Sequence, residues 1–537
     1  MKNTIQLIST MATAVLFLGL TSCRSNDTDN NLNPGGIAAV NFNLTGTDYS
    51  DGASAQASLS KGIGTGNEVQ RQSILIDPST VITLELSDVP SLGSSAQASL
   101  NGINPVAAAT PGNNLGKDVT YRLLVYEKNN STLITSADYK VGTPPQAMNL
   151  EVGKTYSIVA YSNGGTTALP QLANTDWSNA TVAYDNNNPD FMYWQGDFTP
   201  VQGHNNLNIT LRHKTTMITT KVFSNGLGNI TGTVSGTLSP HYTSGTIPLS
   251  TGALPRSGTP GNRTLVFSAK SNTEQDAAPV LVNVGTGAAV KGSFTGSANV
   301  GGTVRTISSL NSFNITPESQ KILNVNMNRC GAYLGATFKE FQCQNLGATS
   351  SDPFALEAGN HGAKYQWGIK TPALTQAQDQ ANSGVISGWN TSNAPNGSWN
   401  LGTEAAPVKN TANDPCPSGY RIPTNTEWSN VLNTARNFKE YVGTNWTASS
   451  TNYNNALRIH DTNLSGATLL QLPAAGYREM ADGGLGFRGS RGSYWSSSES
   501  TNPNDYPLVF SLYFDSSSAT VNYTARIPGF PVRCIAE

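Results

Sequence analysis

The chain has 537 residues, more than one hydrophobic core organises, so several domains are expected. Charged residues make up 12% of it, about half the usual ~25%, and the formal net charge is −2. With no basic stripe to neutralise phosphates, a nucleic-acid partner is excluded. Gly, Ser, Thr and Asn stand where charges usually do, which favours strands joined by turns over helical bundles.

At the N-terminus Lys2 precedes an apolar run through Val15, Leu16, Phe17 and Leu18, and Leu20-Thr21-Ser22 leads to Cys23. A basic start, a short apolar middle and small residues before a cut describe an export leader over residues 1–22. Polar Gln6, Ser9, Thr10 and Thr13 leave the run too short and too wet for a membrane span of about 20 apolar residues. The ending at Cys23 resembles the bacterial lipobox. That resemblance implies a diacylglycerol on the Cys23 thiol, cleavage before it, and an outer-membrane lipoprotein exported to the cell surface. Acyl chains contribute about 0.8 kcal/mol per buried methylene, so Cys23 would tether the chain to a membrane. Residues 23–36, rich in Asn and Asp and ending in Pro34-Gly35-Gly36, read as a flexible tether.

From residue 37 to 328 the signal is alternation with period two, the mark of half-buried strands. Ile82, Leu84 and Leu86 share a face, as do Tyr121, Leu123 and Val125, and Tyr156, Ile158 and Ala160. Leu207, Ile209 and Leu211 form another, and Leu323, Val325 and Met327 another. Turn clusters such as Asn163-Gly164-Gly165 separate them, and the pattern predicts β-sandwiches. The stretches Tyr121–Tyr126, Gly153–Tyr161, Asp190–Tyr193 and Leu207–His213, in that order, resemble the fimbrillin family of lipoprotein-derived pilus subunits. The resemblance implies two tandem β-sandwich domains, over residues 37–203 and 204–328.

The chemistry changes after Asn328. Trp367, Trp389, Trp399, Trp428, Trp446 and Trp495 all follow it. Thr424 and Glu427 form a predicted capping box, with Trp428, Val431, Leu432, Ala435 and Phe438 on one helical face behind it. Leu508, Phe510, Leu512 and Phe514 alternate as a late strand, so residues 329–537 are expected to form an α+β domain. Cys330, Cys343, Cys416 and Cys534 are even in number and exported, which predicts two disulfides with three possible connectivities.

Cys416-Pro-Ser-Gly-Tyr-Arg-Ile-Pro-Thr424 before Glu427-Trp428 is the most specific motif of this part. With Phe341–Gly347, Leu472–Tyr477, Gly492–Ser498 and Val532–Ile535 it resembles the Fibrobacter succinogenes major paralogous domain. That resemblance implies a C-type-lectin-like fold, with disulfides Cys416–Cys534 and Cys330–Cys343. The whole is then mostly β: two tandem fimbrillin-like sandwiches followed by an α+β C-type-lectin-like domain.

No Gly-x-Ser-x-Gly elbow, His-Glu-x-x-His or phosphate-binding glycine loop occurs, and paired cysteines are not thiolate nucleophiles. The chain is therefore read as a non-enzyme without cofactor or metal. Glu499, Asn502, Asn504, Asp505 and Asp515 offer oxygens near the last strands, but the calcium signatures Glu-Pro-Asn and Trp-Asn-Asp are missing. Trp389, Trp399 and Trp446, with Glu499 and Asp505, are the candidate glycan contacts.

The fimbrillin resemblance further implies that a protease removes the first strand, here Ala38–Leu44, by cutting after a basic residue. Thr45–Val69 is Gly/Ser-rich, and Lys61 and Arg71 are the basic candidates; Arg71, before Ser73-Ile-Leu-Ile76, is the expected site. Partners would be other pilus subunits, joined by donor-strand pairing, and a glycan or host-surface ligand. The last strand holds Cys534, so it is not expected to be donated, which predicts a pilus tip. The alternative is a monomeric outer-membrane lipoprotein that binds glycans.

Overall fold

The computed structural model describes residues 36–50, 69–89, 114–463, 468–500 and 507–537. The leader, Cys23, Lys61 and Asp505 lie outside the described residues. The protein is mostly β. In chain order the strands are β1 (Ile37–Asp48), β2 (Gln70–Asp77), β3 (Thr80–Asp88), β4 (Thr120–Glu127), β5 (Leu133–Lys140), β6 (Met148–Glu151) and β7 (Tyr156–Ser162). Then come β8 (Thr181–Ala183), β9 (Met192–Phe198), β10 (Asn205–His213), β11 (Thr216–Phe223), β12 (Ile230–His241) and β13 (Thr246–Pro248). Next are β14 (Gly261–Ser271), β15 (Glu274–Ala277), β16 (Val280–Val282), β17 (Val290–Val300), β18 (Thr303–Ile315) and β19 (Gln320–Arg329).

Seven of these strands form one sheet, in the order β5-β4-β7-β9-β10-β1-β6. The second large sheet runs β18-β17-β12-β14-β15-β11-β19-β3-β2, with β16 also on β11. Sheet membership therefore departs from the sequential bounds 37–203 and 204–328. β2 and β3 leave the first part of the chain to pair in the second sheet, and β10 joins the first, parallel to β1 and antiparallel to β9. Alternation identifies which face of a strand is apolar; it carries no record of the strand beside it.

The predicted faces meet directly. Leu323 lies opposite Leu86, Val325 opposite Leu84 and Met327 opposite Ile82. All six are buried in the core of the second sheet, where each large apolar side chain stabilises by roughly 1.5–3 kcal/mol. The ends of that sheet approach one another. The Gln70 side-chain amide accepts from the Asn314 N–H at 2.6 Å and donates to the Asn314 carbonyl at 3.0 Å.

β4 and β7 are buried on both faces, not one. Tyr121, Leu123, Val125, Ile158 and Ala160 pack into one core. Leu124, Tyr126, Val159 and Tyr161 pack into another, closed by Leu169, Val182, Ile247 and Leu249. Ile247 lies on β13, which pairs with β8, so a segment from beyond the first sheet completes its outer layer.

After β19, a hairpin of β20 (Gly331–Leu334) and β21 (Thr337–Glu340) opens the C-terminal part. The rest is built of short sheets and two short helices, α1 (Gln376–Ala381) and α2 (Asn425–Asn433). α2 starts at the predicted box: the Thr424 hydroxyl accepts from the Glu427 N–H, and the Glu427 carboxylate accepts from the Thr424 N–H at 2.9 Å. It stops at Asn433, shorter than predicted. Phe438 falls in the next strand, Asn437–Val442, and is 58% exposed. The helical period was extended past a chain reversal at Thr434, whose extended backbone ends the helix. α1 also begins with a capping box, Thr375 and Gln378, a pairing the sequence reading passed over.

Candidate functional site

Both disulfides form with the implied pairing. Cys330–Cys343 spans 13 residues and Cys416–Cys534 spans 118. The first sits at the junction with the second sheet, where the Cys330 N–H donates to the Ser79 carbonyl at 2.6 Å and the Cys343 N–H to that of Pro78 at 2.7 Å. Both cystines are buried, so neither presents a reactive thiol.

The described candidate glycan contacts sit in different surroundings. Trp399 is 1% exposed, with its indole N–H bound to the Asn413 carbonyl at 3.0 Å and its ring against Trp367 and Trp495. Trp446 is half-buried in a different core, edge-on to Phe514. Trp389 is half-buried over Gly483 and Gly529, where an added Cβ would come within 2.5 and 2.9 Å of its ring. Glu499 accepts from the Gly397 N–H at 2.6 Å and lies 3.5 Å from Arg526. Asp515 accepts from the Ser517 and Ser518 N–H groups, each at 2.9 Å, as a turn does. Trp399 is a core residue: a buried tryptophan needs both a large apolar contact and a partner for its N–H, and the core supplies both here.

Arg71 stands second in β2, not in a loop. Its Nε donates to Glu85 of β3 at 2.7 Å, and its side chain is 57% exposed.

A charged cluster that sequence inspection did not single out lies inside the C-terminal part. Asp379 on α1 is fully buried. It accepts from Arg478 Nε at 2.7 Å and from Arg488 at 2.7 Å, with Lys364 Nζ at 3.4 Å. Arg478 also holds the carbonyls of Asp379 and Asn382, so one guanidinium pins the C-terminal end of α1. Burial alone would raise the Asp379 pKa, but Lys364, Arg488 and Arg478 outweigh it and hold the carboxylate below its usual range. Burial likewise depresses Lys364, to about 8.

His361, beside this cluster, is buried and edge-on to Tyr453. Burial first, then the Lys364 and Arg488 cations, pull its pKa from 6.5 down to about 3. The unfolded chain takes a proton here that the folded chain refuses, so this contribution to stability falls as pH drops from 6.5 towards 3. One proton is worth about 1.4 kcal/mol per pH unit. Denaturation midpoints measured between pH 6.5 and 4 should fall, with a shallower slope for His361→Phe. An unchanged slope in the variant would disprove the assignment.

A cleft of about 790 Å³ lies where the outer face of β2, β3 and β19 meets the C-terminal part. Asn324, Asn326 and Asn328 line it, alternating with the core residues Leu323, Val325 and Met327. Asn326 accepts from Asn225 and donates to Glu85, both at 3.3 Å. The far wall carries Asp352, Phe354 and Arg458. Asp352 accepts from the Ser73 N–H of β2 at 3.2 Å, and the Leu75 N–H donates to the Ser351 carbonyl at 3.3 Å, which covers the open edge of β2. The signal for this site was in the sequence: the stretch 323–328 alternates apolar residues with asparagines, and only its apolar half was used.

No curated protein sequence matches the chain. Among solved structures, a Bacteroides ovatus chain described as a candidate cell adhesion protein is 14% identical, with TM-score 0.28, over 42% of this chain and 88% of that one. The fimbrial anchor protein Mfa2 of Porphyromonas gingivalis is 12% identical, with TM-score 0.23, over 39% and 77%. The tip fimbrial protein Mfa3 of the same organism is 13% identical, with TM-score 0.26, over 40% and 95%. The family model of the Fibrobacter succinogenes major domain matches residues 345–536, a span that holds every quoted motif from Cys416 onward. The chain thus carries a Fibrobacter succinogenes major domain at its C-terminus.

Proposed function

We propose that this protein is a surface-exported fimbrial adhesin. It joins its pilus by accepting a neighbour's strand and stands at the tip, with a C-type-lectin-like domain facing outward. The observation that carries this reading is the place of β1. It lies inside the first sheet, parallel to β10 and antiparallel to β6, and turns Val40 and Phe42 into the core. Its removal would leave an apolar slot between two open strand edges. A donated strand fills such a slot with backbone hydrogen bonds and alternate side chains.

The tip position is supported by how the last strands are used. Phe530 pairs with Tyr365 and Ile535 with Arg421, while Cys534 is bridged to Cys416. These residues are committed to their own domain while it is folded. Export would run through the leader and acylated Cys23, and processing after Arg71 would release β1. Because Arg71 is paired in β2, the cut requires the first residues of that strand to open locally.

Immunogold labelling of isolated pili, with the N-terminal residue of the native protein determined in parallel, tests this. The expected result is label at pilus ends and a mature chain beginning at Gln72. Particles spaced along the shaft would sink the tip position. Native protein still bearing acylated Cys23 and confined to the envelope would favour the monomeric lipoprotein.

A further inference from the structure

The geometry points to the cleft between β19 and the C-terminal part as a binding site for a neutral oligosaccharide. The inference deepens the adhesin reading and rests on it for its biological sense. A sugar hydroxyl both donates and accepts, and a side-chain amide is the group that answers both at once. β19 presents Asn324, Asn326 and Asn328 on one face, two residues apart, hence roughly 6.5–7 Å between successive amides. Such a row suits a ligand that repeats its hydroxyls along its length.

The amides are available. Both hydrogen bonds of Asn326 are 3.3 Å long, beyond the usual 2.9–3.0 Å, so a ligand hydroxyl displaces them at small cost. The Asn328 carbonyl oxygen is buried and has no partner among the described residues. An acceptor left in that state is unfavourable, and a ligand donor would satisfy it. Phe223 and Phe354 are partly buried in the lining and offer apolar surface to the C–H faces of a sugar ring. The volume falls within the roughly 300–1,000 Å³ of small-molecule sites.

The charges of the cleft exclude the competing ligands. Arg71 is paired with Glu85 in the uncut chain, and the proposed cut after it removes this cation while leaving the carboxylate. Arg458 is held by the Gln471 side chain at 2.7 Å and the Phe354 carbonyl at 3.0 Å. The two cations of the described lining, Arg71 and Arg458, are matched by two carboxylates, Glu85 and Asp352, so the cleft offers no net positive charge to a phosphate or sulfate. A peptide strand is disfavoured as well, because the Ser73 and Leu75 N–H groups on the β2 edge are already bonded.

The test uses the full chain and calorimetric titration with maltotriose, cellotriose, mannotriose and chitotriose, with sialyllactose and a sulfated disaccharide as charged comparators. At least one neutral trisaccharide should bind. Asn326→Ala should weaken it about tenfold, and Asn324→Trp, which fills the cleft, should abolish it. Thermal unfolding of each variant is followed alongside; if Asn326→Ala fails to fold, Asn324→Trp decides. Absence of binding to every neutral sugar overturns the inference. So does binding that both variants leave unchanged, or a preference for the charged comparators above tenfold. Pilus incorporation is scored separately. Sugar binding by a protein absent from pili would uphold the cleft and count against the fimbrial reading, and incorporation without sugar binding would do the reverse.

Discussion

Replacing Cys416 and Cys534 together by serine should destabilise the C-terminal domain by about 4–5 kcal/mol. The bridge closes 118 residues, and in the chain-entropy model a loop of that order restricts the unfolded chain by about that amount. The Cys330–Cys343 bridge closes only 13 residues, so the chain-entropy part of its loss should be smaller, about 3 kcal/mol. Both bridges are buried, so cavity terms add to each. Urea unfolding followed by tryptophan fluorescence reports the domain directly, because Trp367, Trp399, Trp428 and Trp495 are all buried within it. Equal midpoints for the Cys416/Cys534 double variant and the parent would refute the argument. Recovery of a Cys343–Cys416 peptide under non-reducing conditions would refute the pairing.

The second large effect should come from Asp379→Asn. The substitution keeps the shape and removes the carboxylate that, among the described residues, faces Arg478, Arg488 and Lys364 in a site closed to solvent. Breaking a buried pair by removing one partner costs about 3–5 kcal/mol, because the remaining charge is left uncompensated. Three cations share this carboxylate, so the loss belongs at the upper end. The pH dependence has a definite sign. The folded pKa of Asp379 is depressed, so its contribution is present above the unfolded value near 3.8 and is lost as pH falls below it. Lys364 titrates near 8 in the folded chain, and losing the carboxylate makes its charged form still less favourable. Above pH 8 Lys364 is neutral and no longer adds an unpaired charge, so the gap between variant and parent should narrow there. Denaturation curves at pH 7 and pH 9 check this. A variant as stable as the parent at pH 7 would show that the cluster is solvated in ways the buried geometry excludes.

Much of the local structure was legible. Thr424 and Glu427 announced a helix start because a capping box is a contact between residues three apart. The faces of β3 and β19 were legible because strand side chains alternate by residue. The helix end at Asn433 was less so, since the apolar period ran on into Phe438 after the backbone had turned. Trp399 misled for a different reason. A ring that stacks on a sugar and a ring that fills a core look the same in a sequence, and Trp399 proved to be the second kind.

By itself, then, the amino-acid sequence determined the properties that depend on composition, on short spacings and on motif order. These are the mostly β character, the alternating faces, the capping box, the cysteine pairing implied by the domain resemblance and confirmed in the fold, and the C-terminal domain. Only the tertiary structure decided which strands pair across long separations, with β1 beside β10, and β2 and β3 moved into the second sheet. It alone gathered Asp379, Lys364, Arg478 and Arg488 into one buried cluster and placed the asparagines of β19 opposite Phe354 and Arg458 across a cleft. The physical reason is range. Propensity, capping and alternation act over a few residues, whereas sheet partnership and buried charge pairing join residues a hundred or more apart and depend on the packing of the whole chain.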